Sequence, residues 1–167
     1  MHDKLTKVDI KKMQEEIEHR TKELRPKLLE EVKRTREYGD LSENAEYKEA
    51  KREKNRNESR IRYLKAMIET AVVVELDAGA DEIGLFDFAE LFYEMNGQTK
   101  KIQLVTTLRQ NVMEGFISSE SPLGKAITGK KVGDRVLVEV APGRSFYVKI
   151  MSIEKGKDNE DLPISSF

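Results

Sequence analysis

The sequence predicts an α+β chain: an N-terminal antiparallel helical hairpin, followed by a small domain of antiparallel β-strands with one short helix. Three observations carry this expectation. Apolar residues recur at helical steps through residues 6–38 and again through 41–71. A tight turn, GDLSE, separates the two patterns. From residue 72 onward, short β-branched and aromatic runs alternate with turn residues.

In the first helical pattern the stripe is Ile10, Met13, Ile17, Leu24, Leu28 and Val32, at steps of three, four or seven. Thr6 is placed to cap its start, with acids soon after. Pro26, in ELRPKL, would normally break a helix, because it lacks the N–H and its ring meets the preceding turn. The stripe continues through it, so a kink or local irregularity is expected there rather than an end. Gly39 supplies the left-handed residue that commonly terminates a helix.

The second pattern is expected from about Leu41 to Ala71, with a seam of Tyr47, Ala50, Lys54, Asn57, Ile61, Leu64 and Ile68. Lys54 and Asn57 are polar insertions that weaken the distal half and bear on the register. Two helices joined by a short turn lie antiparallel. Each, at about 31 residues, would span roughly 45 Å. The expected organisation is a coiled-coil domain over residues 1–72, with its acidic tip at 39–46, and a globular domain over 73–167.

In that second half VVVEL, DFAELFYEM, KKIQLVT, DRVLVEV and RSFYVKI read as strands. Asn96-Gly97 and Ala141-Pro142-Gly143 mark turns. ESPLGKAITG reads as a short helix, with Ser121 at the N-cap and Pro122 at its first position. Residues 77–84 read as a loop, and KGKDNEDLPISSF as a surface tail with an apolar anchor at its end.

Composition narrows the functions. The 167 residues include no cysteine, which removes disulfides, thiolate metal sites and thiol nucleophiles together. Only His2 and His19 are present, which argues against a histidine-based zinc site. The first residues, MHDKLTKVD, contain no apolar run, and nothing approaches the roughly 20 apolar residues of a membrane span. A cytoplasmic protein without membrane contact is expected. Charged residues make up 37% of the chain, yet the net charge is -1, so local charge is more informative than the total.

Two local concentrations stand out. Asp40, Glu43 and Glu46 crowd the turn. Asp40 and Glu43 have capping-box spacing, acids suit a helix N-terminus, and Ser42 could cap instead. The same pair could also share a divalent cation. Two carboxylates do not complete a magnesium site, so such a tip would be half of one, completed by a partner. Behind the tip, Lys48, Arg52, Arg56 and Arg60 recur every four residues as a positive stripe. It reads either as a solvated face laced with salt bridges or as a contact for a nucleic-acid backbone.

GDLSENAEYKEAK, preceded by ELRPKLLEEVKRTREY, resembles the Gre family of bacterial transcript-cleavage elongation factors. ISSESPLGKAITGKKVGDRVLVEV resembles that family's globular domain, and the likeness runs from about Leu5 to Ile153. The resemblance implies an FKBP-like fold for the second half. It also implies an accessory factor rather than an enzyme, one that enters the secondary channel of bacterial RNA polymerase. There it would stimulate cleavage of the nascent RNA in backtracked complexes, removing the 3′ segment so that elongation resumes. By the same resemblance Asp40 and Glu43 would hold a magnesium ion shared with the polymerase, and no cofactor would be tightly bound by the chain alone. Ser42 and Glu46 would support them. Lys48, Arg52, Arg56 and Arg60 would face the extruded RNA, with nonspecific nucleic-acid contact in addition. Glu120, Ser121 and Pro122 would dock on the polymerase. The dense basic stripe resembles the branch that removes longer fragments, while Leu41 and Asn44 resemble the other, so fragment length stays open. A channel-binding inhibitor or adaptor is the alternative, and intact Asp40 and Glu43 argue against it. Prolyl isomerase activity would need an aromatic-lined pocket that the sequence does not suggest.

Overall fold

The computed structural model describes residues 3–39, 43–75 and 78–166. They form two compact units, one comprising Ile10–Ala71 and the other Lys4–Asp9 with Val72–Ser166. Residues 4–9, which the sequence pattern groups with the hairpin, count with the second unit. The reason is local: β1 (Lys4–Leu5) pairs in parallel with β2 (Val72–Val73). Among the described residues of the expected strand VVVEL, Val72 and Val73 form it.

The helical unit contains most of α1 (Lys7–His19), a π-helical segment Arg20–Leu24, α2 (Arg25–Arg36) and α3 (Ala45–Thr70). Pro26 lies in the first turn of α2, where its missing N–H is least costly. The irregularity expected around it is the π segment just upstream, closed by the N–H of Arg25 donating to the carbonyl of Arg20. The apolar stripe changes at this point to four-residue steps, Leu24 to Leu28 to Val32. Such a stutter unwinds a coiled coil, and a wider helical turn absorbs it. The pairs Glu16 with Arg60, Arg20 with Asn57 and Thr35 with Asn44 run in opposite chain directions, as an antiparallel hairpin requires.

In the second unit the strands are β3 (Phe88–Tyr93), β4 (Gln98–Val105), β5 (Phe116–Ser118), β6 (Arg135–Ala141) and β7 (Arg144–Glu154). The sheet order is β5-β4-β3-β7-β6. It is mixed rather than wholly antiparallel, because β5 lies parallel to β4. A parallel neighbour needs a crossover, supplied here by the two 3₁₀ turns between residues 107 and 114. Alternate residues of the strands, among them Ala89, Leu91, Val136, Val138, Val148 and Ile150, build the core together with Ile127 of α4 (Pro122–Ile127).

The tail is held. Fully buried Arg109 bonds Asp9, Asp158 and the carbonyl of Asn159. Ser165 donates to the carbonyl of Leu108 from both its N–H and its hydroxyl. Lys155 anchors the 78–84 loop, its ammonium donating to the carbonyls of Gly79 and Glu82 and to the Asp87 carboxylate. Among the described residues no helix is long and apolar enough to cross a membrane.

Candidate RNA polymerase and RNA interface

At the tip, α2 ends at Arg36 and Gly39 adopts the expected left-handed conformation, with φ of +98°. Helix α3 begins at Ala45, four residues later than the pattern suggests. Its N-cap is Asn44, whose side-chain oxygen accepts from the N–H of Tyr47 at 3.0 Å. The amide of the same side chain donates to the carbonyl of Thr35 at 2.7 Å, satisfying a carbonyl at the end of α2. The capping role that the sequence offers to Asp40 or Ser42 is therefore filled by Asn44. Asp40 and Ser42 themselves lie outside the described residues.

Glu43 precedes the cap and is exposed, and Glu46 is exposed in the first turn of α3. Arg34 lies 3.9 Å from the Glu46 carboxylate. Arg34 is bonded to Glu31 and to the hydroxyl of Tyr38, and the hydrogen bond with Glu31 holds its guanidinium pKa above the ordinary value. Arg36 and Lys51 flank the Tyr47 ring at 5.9 Å and 6.0 Å. Among the described residues no three His, Cys, Asp or Glu side chains come together to hold a metal. An exposed Glu43 carboxylate is nevertheless the hard oxygen donor that magnesium takes in ones or twos, with phosphate and water completing its shell.

Behind the tip, Lys48, Arg52 and Arg56 are exposed. With Lys51, Asn55 and Ser59 they line a shallow open groove of about 540 Å³. Arg52 also bonds Glu49 at 2.9 Å, so the solvated ion-pair reading and the open basic face coexist. Arg60 does not belong to this face. Only 4% exposed, it donates to Glu16 at 3.0 Å and 3.3 Å. Geometry explains the correction: each four-residue step on an α-helix advances about 40°, so a stripe begun at Lys48 has turned toward the seam three steps later.

In the sheet domain, Glu120, Ser121 and Pro122 lie where β5 passes into α4. Ser121 caps α4, accepting from the N–H of Gly124 at 3.0 Å while donating to the carbonyl of Ser118 at 2.6 Å. The N–H of Glu120 donates to the Ser118 hydroxyl, and the Glu120 side chain is half-buried beside a cavity of about 520 Å³. Pro122 is exposed at the first helical position. The loop is thus rigid backbone presenting Glu120 and Pro122, with the side chain of Ser121 engaged internally.

A family model described as transcription elongation factor, N-terminal, matches residues 4–73. A second, described as transcription elongation factor, GreA/GreB, C-term, matches residues 78–155. The chain belongs to the GreA/GreB family of transcription elongation factors. Transcription elongation factor GreA of Thermoanaerobacter pseudethanolicus is 40% identical over 152 residues, spanning 90% of this chain and 96% of that one. GreA of Macrococcus caseolyticus is 36% identical over 152 residues, spanning 89% and 94%. The crystal structure of GreA factor homolog 1 of Thermus thermophilus aligns with 93% of this chain and all of that one, at 28% identity and a TM-score of 0.42.

In this GreA/GreB chain three structural residues escaped the sequence reading. Asn44 closes the tip, and an Asn directly before a helix was a legible cap signal. Arg109 and Asp158 form a buried cluster whose members are far apart in sequence, and nothing local announced it. Asp158, Asn159 and Ser165 lie beyond the family match, which ends at residue 155.

Proposed function

We propose that this elongation factor carries its hairpin tip into the secondary channel of bacterial RNA polymerase and stimulates cleavage of nascent RNA in backtracked complexes. The observation that carries the reading is the placement of Glu43: exposed, at the end of a long hairpin, and released from capping by Asn44. Glu43 and Asp40 offer two carboxylates to a magnesium ion whose remaining ligands belong to the polymerase and the RNA. When bound, that ion supplies a polarised water and neutralises charge on the phosphate. Ser42 and Glu46 orient this pair. Lys48, Arg52 and Arg56 follow the phosphates of the displaced RNA 3′ segment, an electrostatic contact without sequence preference. Glu120, Ser121 and Pro122 present the docking edge to the polymerase. The chain alone supplies too few ligands to cleave RNA, so it acts as an accessory factor in the cytoplasm.

The test uses stalled, backtracked elongation complexes with magnesium. The native chain is expected to accelerate cleavage, while Asp40→Ala and Glu43→Ala bind polymerase equally and do not. Binding without acceleration by the native chain would identify a channel-binding inhibitor or adaptor instead. Robust cleavage by the chain without polymerase would also overturn the proposal.

A further inference from the structure

Asn57 is 3% exposed, a buried amide in the seam of α3 between Ala50 and Ile61. One residue of the opposite arm satisfies both ends of this amide. The Nδ2 of Asn57 donates to the carbonyl of Arg20 at 3.2 Å, and Nη1 of Arg20 donates to Oδ1 of Asn57 at 3.0 Å. Arg20 begins the π segment, and its carbonyl is the one that receives the N–H of Arg25. The amide therefore grips the backbone at the single π turn among the described residues, a landmark that neighbouring turns do not repeat.

Beyond this grip, toward the tip, the apolar seam is thin. Among the described residues Val32 and Ala50 are its buried hydrophobic side chains, and buried Thr35 bonds back to its own helix. Such sparse packing specifies axial register weakly. A polar side chain that is satisfied in one alignment and orphaned in every other specifies it strongly. The Asn44 and Thr35 contact closes the tip end of the same stretch.

We propose that Asn57, acting through Arg20 and the π turn, is a positioning residue that sets the register of the hairpin and hence the place at which Glu43 is presented. The proposal rests on the cleavage function above. Sliding α3 would break the reciprocal pair and leave a buried amide without partners, so the network penalises misregister rather than adding net stability.

Asn57→Leu separates this role from simple scaffolding. It fills the seam with an apolar side chain and removes both hydrogen bonds. The thermal midpoint is expected to stay or rise, with polymerase affinity within about twofold, while stimulated cleavage falls about tenfold or more, a loss that misplacement by about 1 Å can cause. The chain has no cysteine, so nitroxide labels at Glu30→Cys and Glu53→Cys report the register directly. One distance is expected for the parent and a broadened or second distance for Asn57→Leu. Asn57→Asp, which keeps the acceptor for Arg20 and loses the donor to its carbonyl, should behave in the same direction and serves if the leucine variant does not fold. An unchanged distance, or unchanged cleavage despite a changed distance, overturns the proposal. If the native chain fails to stimulate cleavage, the function proposed above falls, and the label distances still decide whether Asn57 sets the register.

Discussion

Arg109 and Asp9, one hundred residues apart in the chain, form an ion pair in which neither side chain reaches solvent, with Nε 2.8 Å from Oδ1. Asp158 adds a second carboxylate at 2.6 Å, and the Thr6 hydroxyl donates to Asp158 at 2.7 Å. The Arg109 guanidinium also lies over the Phe86 ring, 5.3 Å from its centroid. A buried charge is tolerated only while its partners remain, because the lost hydration is not otherwise replaced.

Arg109→Leu leaves two carboxylates with no cation and should lower stability by about 3–5 kcal/mol. Deleting residues 157–167 removes Asp158, Asn159 and Ser165 together and should cost about 2 kcal/mol or more. Because the two changes share one network, the combined loss should be smaller than the sum. Urea midpoints of the three variants test this; a truncated chain as stable as the parent would show that the tail only decorates the surface.

Gly124 packs against the end of β5 so closely that an added Cβ would lie 2.0 Å from the carbonyl oxygen of Ser118. Gly124→Ala must push α4 away from the strand, at a cost of about 1–3 kcal/mol for an overpacked core site. The same displacement moves the Ser121 cap and the exposed Pro122. Polymerase affinity should therefore fall together with the thermal midpoint, while hairpin helicity by circular dichroism stays unchanged. Retained affinity would remove this loop from the docking edge.

Glu16 receives Arg20 Nε at 2.8 Å and Arg60 Nε at 3.0 Å. Burial pushes its carboxyl up, but the hydrogen bonds and charges of Arg60 and Arg20 outweigh burial and hold the pKa below its ordinary value of 4.5. A pKa lowered by folding means that the unfolded chain binds more protons as acid is added. The contribution of Glu16 is complete above the ordinary value and is lost as pH falls through the lowered one. Glu16→Gln should weaken the hairpin at neutral pH, by roughly 1.5–3 kcal/mol for hydrogen bonds to charged groups, and flatten the acid limb of its unfolding curve. Arg60→Ala should destabilise similarly; an unchanged midpoint would put Arg60 back on the open basic face.

Local signals read correctly at most positions where a residue acts on its own backbone, the Asn44 cap of α3 being the exception. Ser121 with Pro122 starts α4, Gly39 turns left-handed after α2, and Pro26 marks an irregularity without ending the hairpin. The other errors lie where a neighbour distant in sequence decides. Arg60 reads as part of a surface stripe until Glu16 of the opposite arm claims it. Phe116 to Ser118 is too short to announce a strand, and it becomes one only because β4 offers a parallel edge.

Periodicity, turn chemistry and the GDLSENAEY stretch determined from the sequence alone that the chain is a helical hairpin joined to a small sheet domain, and pointed to its family. Those are properties of residues a few positions apart, and φ/ψ preference and the burial of one helical face decide them. Tertiary structure alone decided that the Asn44 amide reaches back to the Thr35 carbonyl of the opposite arm. It also decided that Asn57 finds both partners at a π turn, and that Asp9 and the tail jointly enclose Arg109. Each is a matter of which polar group meets which after folding, and a buried donor or charge is settled by partners that only the folded chain brings within hydrogen-bonding distance.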